Sequence, residues 1–293
     1  MTFPLADPAD LATPAGTARV LRAFGVRPRK RFGQHFLVSR RVLDRLLGEA
    51  EAAPSDLLLE VGAGLGTLTV ALAATGGAVV AVEVDERLIP ILRAATSGFP
   101  RVRLVHGDAM MLDLVTITMG HPAVKLVANL PYNISSPLLV RVLETLPTLT
   151  RAVVTVQDEV ADRIRAQPGN KEYGALSVAV QFRAQARKVV RVPPGAFYPP
   201  PEVDSAVLRL DPVAPRVRLR DEPLFFAVVR AAFGQRRKML RSALRAFRPG
   251  MTPALLTAAA GRAGIDLRRR GETLSLEEFG ALADALAAGI AHN

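Results

Sequence analysis

Between residues 57 and 156 the chain repeats one pattern: a short apolar run, a turn, then a stretch with helical spacing. The runs are Leu57–Val61, Ala78–Val84, Val102–Val105, Val124–Ala128 and Ala152–Val156; helical patterns between them include Leu68–Ala74, Arg87–Ala95 and Pro137–Leu146. Continuous apolar runs belong to strands covered on both faces, and strands separated by helices pair in parallel. The pattern therefore predicts a doubly wound α/β sheet. Two later runs, 187–192 and 203–210, bracket a proline-rich loop and are expected to pair as an antiparallel hairpin at the sheet edge. An earlier helix is expected over 39–53, with Ser39 as its N-cap. From residue 211 the spacing turns helical, over 222–233, 235–247, 252–263 and 275–288. The expected organisation is a flexible leader over 1–18, an α/β domain over 19–210 and a small all-helical domain over 211–293, joined by a linker at 211–215.

Composition narrows the chemistry. With 49% hydrophobic and 22% charged residues among 293, the chain can bury a real core. Cysteine is absent, which excludes disulfides, thiolate metal sites and a cysteine nucleophile. The four histidines, His35, His106, His121 and His292, include no i,i+4 pair, so no metal is expected. No apolar run approaches the ~20 residues of a membrane span. The chain reads as soluble, cytoplasmic and free of any membrane.

The net charge of +11 is unevenly placed. Residues 19–45 carry a net +8, residues 46–210 a net −1, and residues 211–293 a net +6. Within the last segment Arg230, Arg236, Arg237, Lys238, Arg241, Arg245 and Arg248 follow one another with no acid between them. On a helix over 235–247, Arg237, Arg241, Arg245 and Arg248 would share one face. A solvated face is the plain reading of such a run. The exclusion of acids tilts it towards a nucleic-acid surface.

The polar groups at the strand ends carry the chemistry. Leu57–Thr67 reads as a strand, a G-x-G-x-G turn (Gly62, Gly64, Gly66) and a helix start, where a ligand can approach the backbone closely. Glu83 closes the second strand, where a carboxylate can accept both hydroxyls of a ribose. Asp108 follows the third strand and can accept from an adenine amino group. Asn129, in Asn129-Leu-Pro-Tyr132, follows the fourth. Glu83 or Asp108 alone could be a helix cap. Four successive strand ends bearing such groups point to a nucleoside ligand.

This layout resembles the S-adenosylmethionine-dependent methyltransferases, and Asn129-Leu-Pro-Tyr132 is similar to the motif of those that act on amino groups. An exocyclic adenine amine is a poor nucleophile because its lone pair is conjugated into the ring. The Asn129 side-chain oxygen and the Leu130 carbonyl can hold both its N–H groups, Pro131 stiffens the backbone, and Tyr132 offers a face to a flipped base.

Further segments stand in order along the chain: Arg29-Lys-Arg-Phe-Gly-Gln-His-Phe-Leu37, Asn129–Pro137, Gln157–Arg163, Tyr173–Val178, Phe197-Tyr-Pro-Pro-Pro-Glu-Val-Asp-Ser205 and Phe233-Gly-Gln-Arg-Arg-Lys238. Together, over about residues 19–288, they resemble the small-subunit ribosomal RNA adenine dimethyltransferases. The resemblance implies a Rossmann-like class I methyltransferase sheet with S-adenosylmethionine as cofactor. It also implies N6,N6-dimethylation of two adjacent adenosines in the 3′-terminal hairpin of 16S rRNA, within the small ribosomal subunit or its precursor, by a monomer.

It further implies that His35, Leu37, Gly62, Gly64, Gly66, Glu83, Asp108 and Asn129 hold the cofactor. Asn129, Leu130, Pro131, Tyr132 and Phe197 would form the catalytic pocket, with Tyr132 and Phe197 sandwiching the base. Arg29, Lys30, Arg31, Arg236, Arg237, Lys238, Arg241 and Arg245 would contact RNA. Many members carry Asn where this chain has His35. Three other readings share parts of this pattern: a methyltransferase acting on large-subunit rRNA, a non-catalytic RNA-binding or assembly factor on the same fold, and a DNA adenine methyltransferase.

Overall fold

A computed structural model describes residues 8–235, 238–245 and 251–290. In chain order its helices are α1 (Pro14–Ala23), α2 (Arg40–Ala50), α3 (Thr67–Ala73), α4 (Ile89–Ala95), α5 (Leu114–Ile117), α6 (Ser135–Thr145), α7 (Asp158–Arg165), α8 (Ala175–Gln181), α9 (Glu222–Gly234), α10 (Leu240–Ala243), α11 (Pro253–Ala263) and α12 (Leu276–Ile290). Its strands are β1 (Phe36–Leu37), β2 (Leu57–Val61), β3 (Ala78–Glu83), β4 (Val102–His106), β5 (Val124–Asn129), β6 (Leu149–Gln157), β7 (Ala184–Val192), β8 (Phe197–Tyr198) and β9 (Ser205–Pro212).

The chain divides into two compact units, one running through Ala161 with Ala186–Pro212 added, the other made of Asp162–Gln185 and Val213 onwards. The helical unit thus takes in a segment well upstream of residue 211.

The first unit is organised by a seven-stranded sheet of order β4-β3-β2-β5-β6-β9-β7. Strands β4, β3, β2, β5 and β6 pair in parallel, and β9 runs antiparallel to β6. All five residues of β2 and the last five of β3 are buried, as their largely apolar sequences demand, and the burial takes in Glu60 and Glu83. From β2 the chain moves outward to β3 and β4, then returns to β5 on the other side of β2. The carboxyl ends of β2 and β5 thus open onto the switch point where such sheets leave a crevice. The segments expected as a terminal hairpin are hydrogen-bonded neighbours, with β7 at the edge.

Two expectations need correction. Residues 8–18 are not a loose leader: Pro8–Ala12 form a 3-10 turn and Pro14 opens α1. Thr13 caps that helix by accepting from the Gly16 amide at 3.1 Å, and proline at the first helical position suits the role. Leu11 is fully buried beside Val20, Leu21 and Ile91, and the Thr17 hydroxyl donates to its carbonyl at 2.9 Å.

Of the helix expected over 235–247, the described residues show only α10, Leu240–Ala243. The amides of Leu240 and Arg241 donate to the carbonyls of Arg269 and Leu267, so they are held by a neighbouring loop instead of a preceding helical turn. Leu240 and Leu244 are buried in the helical unit's core. Residues 236–237 and 246–250 lie outside the described residues, so the proposed face of Arg237, Arg241, Arg245 and Arg248 has no structural description.

Around that core pack Tyr173, Phe225, Phe279 and Phe182, the last ring 5.3 Å from Phe225 and 5.5 Å from Phe226. Phe182 explains why residues 162–185 belong to this unit. It closes α8 and gives the later helices an aromatic surface to bury.

Candidate active site

A cleft of about 670 Å³ opens at the switch point. Its walls come from the 32–36 loop, the glycine turn after β2, the ends of β3 and β5, and the turns that follow them.

The turn after β2 is shaped by Gly62 and Gly64, with φ of 80° and 60°. A Cβ at Gly62 would lie 3.1 Å from the Pro131 ring, and one at Gly64 would lie 3.1 Å from the Phe36 ring. Glycine is what lets the β5 turn and the 36 strand close on this backbone. Gly66 is different. It starts α3, faces Leu92 and Ala95, and packs the helix rather than lining the cleft.

Glu83 ends β3 with a buried carboxylate that accepts from the amides of Gly64 at 2.8 Å, Val84 at 3.0 Å and Asp85 at 2.9 Å. Burial pushes its pKa above the ordinary value, and those three amides work against the rise. Asp108, beyond β4, is exposed on the cleft rim and accepts from the Met110 amide at 2.8 Å.

Asn129 ends β5. Its Nδ2 donates to the His35 carbonyl at 2.9 Å, which fixes the amide plane. Its Oδ1 is buried and has no partner. Buried acceptors are nearly always satisfied, so an orphan on a cleft wall marks a place for a ligand's donor. Leu130 and Pro131 line the same wall. The carbonyls of Pro131 and Tyr132 are taken by the Ile134 amide and the Ser135 hydroxyl as the turn enters α6.

The Tyr132 hydroxyl is hydrogen-bonded to that of Ser205, and burial raises its pKa. Its ring stacks on His35, centroids 5.4 Å apart at 26°. His35 in turn places Nδ1 2.7 Å from the Pro199 carbonyl, so that nitrogen carries a proton and donates.

Phe197 stands apart from this group. It is 3% exposed, buried with Leu37, Val42 and Ala196, and absent from the cleft wall. The reason is its strand register. Phe197 pairs with Leu37, and the alternation along β8 sends Phe197 into the core and Tyr198 to the other side. The aromatic neighbour of Tyr132 is His35. Leu37 lines a smaller adjoining cavity with Phe36, Gly62, Gly64 and Asn129.

Of the basic residues, Lys30 and Arg31 are exposed, Arg31 with its guanidinium 4.6 Å from the Phe32 centroid. Arg29 reaches to 3.8 Å from the Asp85 carboxylate. Lys238, Arg241 and Arg245 are exposed on the helical unit, while Arg236 and Arg237 lie outside the described residues. Among the described residues no acidic and histidine cluster could hold a metal ion, and no helix is long and apolar enough to cross a membrane.

Sequence reasoning passed over Gln34, Asp85 and Ser205. Gln34 and Ser205 sat inside motifs without an assigned role, and Asp85 belonged to no motif. Only the fold shows what each of them touches.

The chain has known relatives. The sequence profile of ribosomal RNA adenine dimethylase matches residues 25–282. The ribosomal RNA small subunit methyltransferase A of Pelotomaculum thermopropionicum is 45% identical, over 94% of this chain and 97% of its own; that of Moorella thermoacetica is 44% identical, over 94% and 98%. Among solved structures, a dimethyladenosine transferase from Plasmodium falciparum is 25% identical with a TM-score of 0.68, covering 84% of this chain and 95% of its own. The 23S rRNA methyltransferase ErmE is 26% identical with a TM-score of 0.64, covering 86% and 99%.

Proposed function

The chain belongs to the ribosomal RNA adenine dimethylase family, and from that premise we propose that it dimethylates N6 of two adjacent adenosines in the 3′-terminal hairpin of 16S rRNA. It would do so with S-adenosylmethionine, as a cytoplasmic monomer acting in small-subunit biogenesis. The observation that carries the reading is the orphaned Asn129 Oδ1, an acceptor held in place with nothing to accept.

The cleft fits the cofactor on its own terms. The glycine turn offers bare backbone where a Cβ would collide with Pro131 or Phe36. Glu83 presents a carboxylate already fixed by three amides to the two hydroxyls of a ribose. Asp108 is at the rim for the adenine amino group, and His35 closes the opposite side. Leu37 and Gly66 support this wall from behind. When bound, S-adenosylmethionine supplies a methyl carbon activated by its positive sulfur.

The protein's own part is positioning. Asn129 Oδ1 and the Leu130 carbonyl accept the two N–H groups of the target adenine, which draws its nitrogen towards a pyramidal geometry and frees the lone pair. Pro131 holds those two acceptors at fixed separation. Tyr132, braced by Ser205 and His35, gives the everted base a flat surface. No side chain has to remove a proton first, because the methylated nitrogen is cationic and releases one to water. Fixing the reacting atoms in line does most of the work. Exposed Lys30, Arg31, Lys238, Arg241 and Arg245 supply phosphate contacts.

The test is labelled-methyl transfer to undermethylated small and large subunits, followed by mapping of the modified nucleotides. Label on the two adjacent adenosines of 16S rRNA is expected. Label confined to large-subunit rRNA, or absent from both, overturns the reading.

A further inference from the structure

Asp85 lies just behind the cleft and does not line it. Its side chain is 1% exposed, and a carboxylate withdrawn this far from water needs strong donors. It has them. Arg87 donates from Nε to Oδ1 at 2.9 Å and pairs with Oδ2 at 2.5 Å, and Gln34 Nε2 donates to Oδ2 at 3.0 Å. Burial alone would raise its pKa, but hydrogen bonds from Arg87 and Gln34 prevail and hold it at about 2. The group is therefore charged throughout the neutral range.

The bond to Gln34 matters because of what Gln34 belongs to. Its Oε1 accepts the Arg29 amide at 2.7 Å, closing the 29–34 loop on itself. The next residue is His35, whose carbonyl receives Asn129 Nδ2. On the other side, the Asp85 amide donates to Glu83 Oε1 at 2.9 Å. A polar chain thus joins the expected ribose ligand to the expected acceptor of the target amine, through two long-range links: Gln34–Asp85, 51 residues apart, and His35–Asn129, 94 residues apart.

Resting on the function proposed above, we propose that Asp85 is a positioning residue for methyl transfer. By gripping Gln34 it holds the loop so that the His35 carbonyl pins the Asn129 amide with its oxygen turned into the cleft. An Asn amide released from that carbonyl can rotate and present its NH₂ to the target, a donor facing a donor.

The geometry suggests a polarity swap as the test. Asp85→Asn keeps Oδ1 for Arg87 Nε but sets its amide nitrogen against both Gln34 Nε2 and Arg87 Nη2. Gln34→Glu breaks the same contact from the loop side by opposing two carboxylates, and stays informative if the buried variant unfolds. The double variant restores one donor and one acceptor in reverse order, while the carboxylate introduced by Gln34→Glu retains an oxygen for the Arg29 amide.

Each single variant is expected to lower kcat about 20-fold, with affinity for S-adenosylhomocysteine by calorimetry within about threefold of the parent. Tryptic cleavage at Arg29–Arg31 should quicken about tenfold. The double variant should return kcat and cleavage to within about threefold of the parent. Single variants with parental kcat, an affinity loss that accounts for the whole fall in kcat, or a double variant worse than either single would overturn the proposal. If the parent methylates no ribosomal subunit, the functional reading fails instead. The cleavage rates and the cofactor titration then still decide whether Asp85 secures the loop.

Discussion

The end of β5 and the stretch from Lys238 to Arg245 both present polar groups, yet they are built on opposite terms. At β5 each group is fixed by another: Asn129 by the His35 carbonyl, Tyr132 by Ser205, His35 by the Pro199 carbonyl. From 238 to 245 the cations are exposed on a four-residue helix and the turns beside it. The contrast separates two kinds of work. Methyl transfer to a weak nucleophile requires atoms held to a fraction of an ångström. Attraction to a phosphate backbone requires charge on the right face and tolerates mobile side chains.

Asn129→Ala strikes the fixed region hardest. It removes the orphaned acceptor without touching Glu83 or the glycine turn. Transfer is expected to fall on the order of 10²–10³-fold, the usual cost of deleting one preorganised polar group. Affinity for S-adenosylhomocysteine, read by calorimetry, should stay within about threefold. Turnover at the parental rate would erase the distinction between the two regions.

Glu83→Gln probes the same region one step back. Replacing a charged acceptor of two hydroxyls is expected to weaken cofactor binding about 10–100-fold, from hydrogen bonds to charge worth ~1.5–3 kcal/mol. The pH dependence has a definite sign. A protonated carboxyl would set its own donor against a ribose hydroxyl, so affinity should drop on acidification. Because burial raises the Glu83 pKa, that drop should begin above the ordinary carboxylate range. Calorimetry from pH 8 downwards checks it, and Glu83→Gln should lack the step.

Replacing Lys238, Arg241 and Arg245 together by Ala tests the unfixed region. The expected result is weaker rRNA binding with a salt slope reduced by about 2, at ~0.7 per phosphate contact on single-stranded RNA. At saturating substrate kcat should hold. An unchanged slope would make these cations an ordinary solvated face and remove one side of the comparison.

The same contrast explains what could be read from sequence. Apolar runs ending in Glu83, Asp108 and Asn129 were legible because a parallel sheet forces strand ends to one edge, so position along the chain becomes position in space. Asp85 and Ser205 were not, since their partners lie 51 and 73 residues away and no periodicity marks them. Phe197 was placed in the pocket by its motif, but strand alternation turned it inward. The short α10 had the spacing of a longer helix, and a tertiary contact, the carbonyls of Leu267 and Arg269, decided otherwise. In the opening segment Thr13 followed by Pro14 is a helix-start signal that the expectation of a flexible leader left unused.

Glu60 sharpens the comparison from within the fixed region, because it is held in place without being assigned to the reaction. It lies in β2, fully buried, with the Thr69 hydroxyl donating to Oε2 at 2.6 Å. Burial, with a smaller contribution from nearby Glu83, raises its pKa to about 8 against the lowering effect of Thr69. The folded protein therefore keeps a proton that the unfolded chain gives up near 4.5. Stability should fall as pH rises between those two values, by no more than ~1.4 kcal/mol per pH unit, and level off above them. Glu60→Gln keeps the shape and an acceptor for Thr69 and cannot ionise, so it should match the parent below about pH 4.5, exceed its stability at pH 7 and flatten the pH slope. Denaturant titrations at pH 5.5, 7 and 8.5 measure both. A slope that survives the substitution would assign the lost proton to another group, Glu83 first among them, since burial shifts it in the same direction.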